Sequence, residues 1–217
     1  MNSHAIIDGL LGYVCLVILL TFHEFAHAWT AWKCGDDTAH SQGRVSLNPL
    51  VHMDLMGTVI LPLLVVFLSA ANSGLARFII GWGKPVPVDI SQLRHRRRDD
   101  TLVALAGPAM NLALAVVLMA VAKGFDLLHL VSMAEVAIQM TLISLLLCFF
   151  NLLPIPPLDG SHVLKNLIGM SDEVYWNLCR FGFVAVLIAI QVPYVRMVLN
   201  VATITTFSAM AKLVGLG

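Results

Sequence analysis

The chain has 217 residues, of which 59% are hydrophobic and 12% are charged, and its mean hydropathy is +0.86. An average soluble domain carries about 25% charged residues, so this composition excludes a soluble enzyme. The 13 Lys and Arg residues balance the 13 Asp and Glu residues, which argues against nucleic-acid binding. The composition instead predicts a polytopic membrane protein.

Long apolar runs alternate with polar segments along the whole chain. We predict membrane spans at about 5–32, 101–122, 134–150, 175–192 and 194–211, with a shorter apolar segment at 55–71. These five or six hydrophobic segments form one domain, residues 1–217, with a core at about 5–160 and additional spans at about 175–211. The sequence therefore predicts an all-α polytopic membrane protein.

Basic residues set the expected orientation. If the first span ends on the cytoplasmic side, all 13 Lys and Arg residues except Lys123 and Arg196 lie inside, as the positive-inside rule requires. This arrangement needs residues 55–76 to enter the membrane and return to the same side, so we predict a re-entrant hairpin that turns with the help of Pro62. A simple crossing is the alternative, since about 17 residues reach about 25 Å as a helix.

An H-E-x-x-H sequence, His23 to His27, lies within the first predicted span. On a helix this spacing puts both imidazoles on one face, where they can share a tetrahedral Zn²⁺. Glu24 lies beside the metal and can take a proton from metal-bound water. Charged groups in hydrocarbon cost roughly 2.5–3.5 kcal/mol each on insertion scales, so we interpret the cluster as functional.

A zinc site needs a third protein ligand. The soluble zinc peptidases take this ligand either from a His ten positions after the first motif His or from a Glu further along the chain. Neither pattern fits, because position 33 is Lys33 and the only other glutamates are Glu135 and Glu173. Asp159 is the carboxylate candidate, since it follows the Pro-rich segment 151–158, whose freed backbone groups must be satisfied by protein or by water in a cavity. With the re-entrant hairpin, this end of the span lies on the same side of the bilayer as the H-E-x-x-H sequence.

Two motifs together resemble the site-2 protease family of intramembrane zinc metalloproteases, peptidase family M50. They are the H-E-x-x-H sequence and the N-x-x-P-x-P-x-x-D-G sequence at 151–160. Residues 81–85 resemble the family's membrane-associated β-loop, and residues 107–111 resemble its G-P-x-x-N segment. Residues 43–54 resemble a compact bacterial and archaeal branch that lacks PDZ and CBS domains.

The resemblance implies an endopeptidase that hydrolyses bonds within or near transmembrane segments of membrane proteins. Its zinc ligands would be His23, His27 and Asp159, with one Zn²⁺ per chain. Glu24 would be the general base. Asn151 would polarise the scissile carbonyl or hold its oxyanion.

The expected surroundings are a lipid bilayer, in the plasma or inner membrane, with the active site toward the cytoplasmic side. We also predict a small β element at that interface, in which a strand at 86–88 pairs with an unwound substrate. No nucleic-acid partner is expected, and the oligomeric state is left open.

Some residue roles and other function classes stay open. His52 and Asp54 either orient an active-site ligand or hold their loop, and Asn111 is either structural or catalytic. A metal transporter should carry ionisable residues in several spans, whereas here they concentrate at one site. An inactive relative would be expected to lack Glu24 or a ligand, and a peptidase that processes prenylated tails would use a glutamate as third ligand.

Overall fold

The computed structural model describes residues 3–71, 73–74 and 81–216, and its regular structure is helical throughout these residues. A 3₁₀ turn at Pro49–Val51 and a π-helical segment at Leu55–Ile60 precede α3. The α-helices are α1 Ser3–Cys34, α2 Thr38–Ser41, α3 Leu61–Ala70, α4 Arg96–Leu127, α5 Val131–Asn151, α6 Asp159–Ile168, α7 Asp172–Cys179, α8 Gly182–Ala189 and α9 Pro193–Val214.

Four of the described helices, α1, α4, α5 and α9, are long and apolar enough to cross a membrane. Helices α1 and α4 have 32 residues each and reach about 48 Å, which exceeds the roughly 30 Å hydrocarbon core of a bilayer. Their ends therefore extend beyond that core. The segment Leu55–Ala70 is apolar but shorter.

The predicted span at 175–192 is not one helix. Helices α7 and α8 have 8 residues each and are separated at Arg180 and Phe181. A Cβ on Gly182 would lie 2.6 Å from the backbone oxygen of Pro156, so α8 packs directly on the loop that precedes α6. Because a charged residue and this close packing interrupt the apolar run, α9 alone in this region reaches spanning length among the described residues.

The predicted β element is not found, because residues 81–89 have no regular secondary structure and no strand occurs in the part of the chain that the structure describes. Pro85 and Pro87 lack a backbone N–H group, which removes donors from any ladder. Neighbouring groups bond one by one to other loops: Trp82 N–H to Gly57 O, Lys84 N–H to His52 O, Asp89 N–H to the Asp36 carboxylate, and the Arg44 guanidinium to Lys84 O and Pro85 O.

Helices α1 and α4 are antiparallel neighbours. The N–H group of Arg94, just before α4, donates to the backbone oxygen of Cys34 at the end of α1. Helix α5 returns beside α4 and ends at Asn151. The end of α1, the start of α4 and the end of α5 therefore lie at one end of the bundle, which we call the site end.

Helix α9 runs away from the site end. Lys123, near the end of α4, donates from Nζ to the backbone oxygen of Gly215, just after α9. Lys212 therefore lies at the opposite end, with Lys123, and Arg196 in the first turn of α9 lies toward the site end. This corrects the sequence interpretation of these two charges, which assumed a further crossing between α6 and α9.

Candidate metal centre

The two histidines of α1 lie on its buried face, one turn apart. His23 is 3% exposed and His27 is 7% exposed. Their Nε2 atoms are 3.1 Å apart. The helical spacing thus places both nitrogens side by side, as the sequence predicts.

Asp159, the first residue of α6, completes a group of three ligand atoms. Its Oδ2 lies 3.2 Å from His23 Nε2 and 3.4 Å from His27 Nε2. Around a tetrahedral Zn²⁺ with bonds of about 2.0–2.1 Å, neighbouring ligand atoms are about 3.3 Å apart. The structure therefore brings together the three predicted ligands at separations that fit one zinc ion.

Backbone and amide partners orient both imidazoles. His27 Nδ1 lies 2.7 Å from the Val103 carbonyl oxygen, which can only accept, so Nδ1 carries the proton and Nε2 of the neutral ring presents a lone pair. Asn111 Nδ2 lies 3.1 Å from His23 Nδ1, and the buried Asn111 Oδ1 has no hydrogen-bond partner. With the amide turned by 180°, Oδ1 would accept from Nδ1–H of His23, and the same tautomer would be selected. Asp159 Oδ2 is buried without a hydrogen-bond donor in the described chain, and a cation satisfies all three atoms.

Gly107 of α4 leaves space beside the two imidazole nitrogens. A Cβ at this position would lie 2.7 Å from His23 Nε2 and closer still to His27 Nε2. These separations approach the length of a zinc–nitrogen bond. The missing side chain is therefore the room that a metal at this site needs.

Glu24 lies beside the ligands and is 8% exposed. Its Oε1 faces Gly83, at 3.3 Å from the Cβ that a larger residue would carry. Arg44 and His52 are close enough for the Glu24 charge to act on both. His52 donates from Nε2 to the Ser46 oxygen, and burial lowers the pKa of His52, which keeps its ring neutral.

The remaining sequence candidates lie at helix ends. The Asp54 carboxylate accepts from the N–H groups of Met56 and Gly57, so it caps the π-helical segment. Asn151 donates from Nδ2 to the Leu147 oxygen one turn back in its own helix. The structure therefore groups Glu24 with the three ligands, and it engages the Asn151 amide within α5.

Sequence reasoning missed the contribution of Val103, because a carbonyl oxygen is common to every residue and leaves no signal. The match of residues 107–111 to a G-P-x-x-N segment was the available signal for Gly107 and Asn111. It indicated neither the space for the ion nor the contact with His23.

Comparison with known proteins identifies similar sequences. Residues 11–130 and 126–189 match the family described as peptidase family M50. The chain is 34% identical to YwhC of Bacillus subtilis over 83% of its own length and 80% of that protein. It is 33% identical to Rip2 of Mycolicibacterium smegmatis over 87% of the chain and 67% of that protein.

A third relative is Rip2 of Mycobacterium tuberculosis, which is 39% identical over 69% of the chain and 54% of that protein. All three relatives are described as candidate zinc metalloproteases. No solved structure matches the chain significantly.

Replacing Gly107 with alanine should remove zinc binding, because the new Cβ occupies the space of the ion. We expect affinity to fall by more than the about 10–100-fold that is usual for changes outside the ligand shell. Gly124→Ala is the matched control, since Gly124 lies in the same helix and a Cβ added there has nothing within 4 Å. Zinc competition assays on both purified variants would measure this, and unchanged affinity in Gly107→Ala would contradict the site.

Asn111→Leu should lower zinc affinity by about 10–100-fold, because His23 loses the partner that orients its ring. Ser144→Ala serves as control, since Ser144 is equally buried and donates to the backbone oxygen of Asn111 without touching a ligand. Equal affinities in the two variants, measured by chelator competition, would show that the amide does not orient His23.

Proposed function

The chain belongs to peptidase family M50, and we propose that it is an intramembrane zinc endopeptidase that hydrolyses bonds within or near transmembrane segments of protein substrates. The observation that carries the proposal is the position of the three ligand atoms of His23, His27 and Asp159. They lie at zinc-like separations within a bundle of apolar helices. A buried site of this kind suits a substrate that is itself in the membrane.

The proposed chemistry assigns the proton transfers to Glu24. Zinc, when bound, supplies Lewis-acid activation of water and of the scissile carbonyl. The Glu24 carboxylate takes the proton from the attacking water and then gives it to the nitrogen of the leaving amine. The Val103 oxygen holds the His27 proton on Nδ1, so Nε2 of this ring stays free to bind metal. Asn111 would do the same for His23 with its amide oxygen turned toward Nδ1.

Asn151 remains our candidate for binding the scissile carbonyl oxygen. Its amide now donates to Leu147 O, a bond that rotation about the side-chain torsions releases. Because Asn151 ends α5, immediately before the loop that leads to Asp159, its free amide would act on the same side of the site as that ligand.

We further propose that α3 begins a re-entrant hairpin and that the site end faces the cytoplasm. Helix α3 runs along α1 toward the α1 N-terminus, since a Cβ on Gly9 would contact Val66 at 2.8 Å. After α3 the chain returns to the π-helical segment that precedes it, because the N–H group of Trp82 donates to Gly57 O. Most Lys and Arg residues then lie on the cytoplasmic side, as the positive-inside rule requires.

An apolar cavity supports a hydrophobic substrate. It has a volume of about 310 Å³ and lies between α1, α3 and the segment 81–83. Gly83, which faces Glu24, is part of its wall. Its other walls include Gly12, Leu16, Leu20, Pro62 and Val66. An apolar side chain bound there would lie next to the proposed base.

The proposed activity is tested with tagged model transmembrane helices and purified protein in detergent. Glu24→Gln should reduce cleavage by at least about 10²–10⁴-fold, the usual contribution of a general base, while zinc stays bound. A zinc chelator should also stop cleavage. Glu135→Gln is the control, since Glu135 is exposed, and cleavage that survives Glu24→Gln would contradict the proposed base.

The hairpin is tested by labelling single cysteines in cells with a membrane-impermeant maleimide, in a chain whose native cysteines are replaced. Lys123→Cys, at the end opposite the site, should be labelled from outside. Gly74→Cys, where nothing lies within 4 Å of an added Cβ, should resist labelling from outside. Equal labelling of both positions would indicate a simple crossing.

A further inference from the structure

The third ligand is held differently from the two histidines. His23 and His27 belong to a helix of 32 residues, whereas Asp159 begins a helix of 10 residues after an irregular Pro-rich segment. Its position relative to the histidines therefore depends on how α6 docks. The inference below concerns the contacts that hold α6 in place, and it rests on the proposed function.

Asp100, which is 3% exposed, anchors α6 to α4. One of its carboxylate oxygens pairs with His162 Nδ1 at 3.1 Å, and the other accepts from Asn166 Nδ2 at 2.8 Å. Lys165 Nζ lies 3.5 Å from the same carboxylate and 2.8 Å from Asp172 at the start of α7. The buried Asp100 carboxylate thus contacts three polar side chains on one face of α6.

The other face of α6 is apolar and exposed. Leu164 is 38% exposed, Leu167 is 79% exposed and Ile168 is 60% exposed. A helix with its polar face inward and its apolar face outward is typical of a lipid-facing position. Because Asp100 itself is buried, water competes weakly with its contacts.

Asp100 is one of four aligned positions on α4. Asp100, Val103, Gly107 and Asn111 follow one another at intervals of three and four residues, so they share one helix face. Val103 and Asn111 contact the two histidines, and Gly107 leaves room between them. The Asp100 carboxylate extends this face to the element that carries the third ligand.

We propose that Asp100 is a positioning residue for the zinc site, which fixes α6 and hence Asp159 against the face of α4 that orients His23 and His27. Buried ion pairs contribute little net stability compared with apolar packing. The contribution of Asp100 is therefore expected in the geometry of the third ligand, beyond any effect on unfolding.

The test compares Asp100→Asn with Asp99→Asn in the full-length protein in detergent. Asp99 is the preceding residue, is 4% exposed, and accepts from the His95 N–H group at the start of α4. Asp100→Asn should lower zinc affinity by about 10–100-fold, as expected for a residue that supports a ligand. Asp99→Asn should leave zinc affinity within about threefold of the unaltered protein, even where both variants unfold at similarly lower temperatures.

Cobalt substitution supplies a readout that reduced stability alone does not move. The visible spectrum of Co²⁺ reports its coordination, so Asp100→Asn should shift it toward the spectrum of Asp159→Asn. If Asp100→Asn folds poorly, the pair Asp100→Leu with Lys165→Met removes both buried charges and should still shift the spectrum. An unaltered spectrum, or zinc affinity unchanged in the Asp100 variants, would overturn the proposal.

The same assays separate this inference from the proposed function. Unaltered protein that binds zinc but cleaves nothing would overturn the peptidase proposal and leave the role of Asp100 intact. Unaltered protein that binds no zinc would overturn the metal centre and this inference with it.

Discussion

Polar groups that enter a helix bundle within a membrane must find partners inside the protein, and one face of α4 provides them here. No water is present in hydrocarbon to satisfy a buried donor or acceptor, and an unpaired group costs several kcal/mol. The face formed by Asp100, Val103, Gly107 and Asn111 meets the imidazoles of α1 and the polar side of α6. The packing of α1 and α6 on α4 and the arrangement of the candidate ligands therefore depend on this one face of α4.

Close approach of α1 to α4 is a condition for this arrangement. Membrane helices approach closely where their facing residues are small, and Ala31 of α1, which is 0% exposed, packs in one cluster with Val103 of α4. Gly107 carries the same principle into the site, where even a methyl group would meet the imidazole nitrogens. Small residues on the facing sides of α1 and α4 are thus needed both for close helix packing and for open space beside the imidazole nitrogens.

The sequence predicts the grouping of His23, His27 and Asp159 better than it predicts the chain that surrounds them. The pairing of His23 with His27 follows from helical spacing, and Asp159 follows from a motif at a broken helix. Contacts of residues 81–89 with single partners could not be foreseen, because they depend on which loops lie nearby. The same limit applies to α7 and α8, whose apolar composition resembles a span although Arg180 and close packing at Gly182 divide it.

The region after α6 packs against the loop that leads to Asp159. Helix α8 packs on the loop before Asp159 through Gly182, and Phe183 of α8 contacts the Trp82 ring at 5.3 Å between centroids. A metal that bound Asp159 together with the α1 histidines would stabilise this docked state, and the gain would grow with the logarithm of the free metal concentration above Kd. If Asp100 positions α6 as proposed, Asp100 and such an ion would act on the same helix and reinforce one another, and displacement of α6–α8 from the bundle would disrupt the proposed metal site.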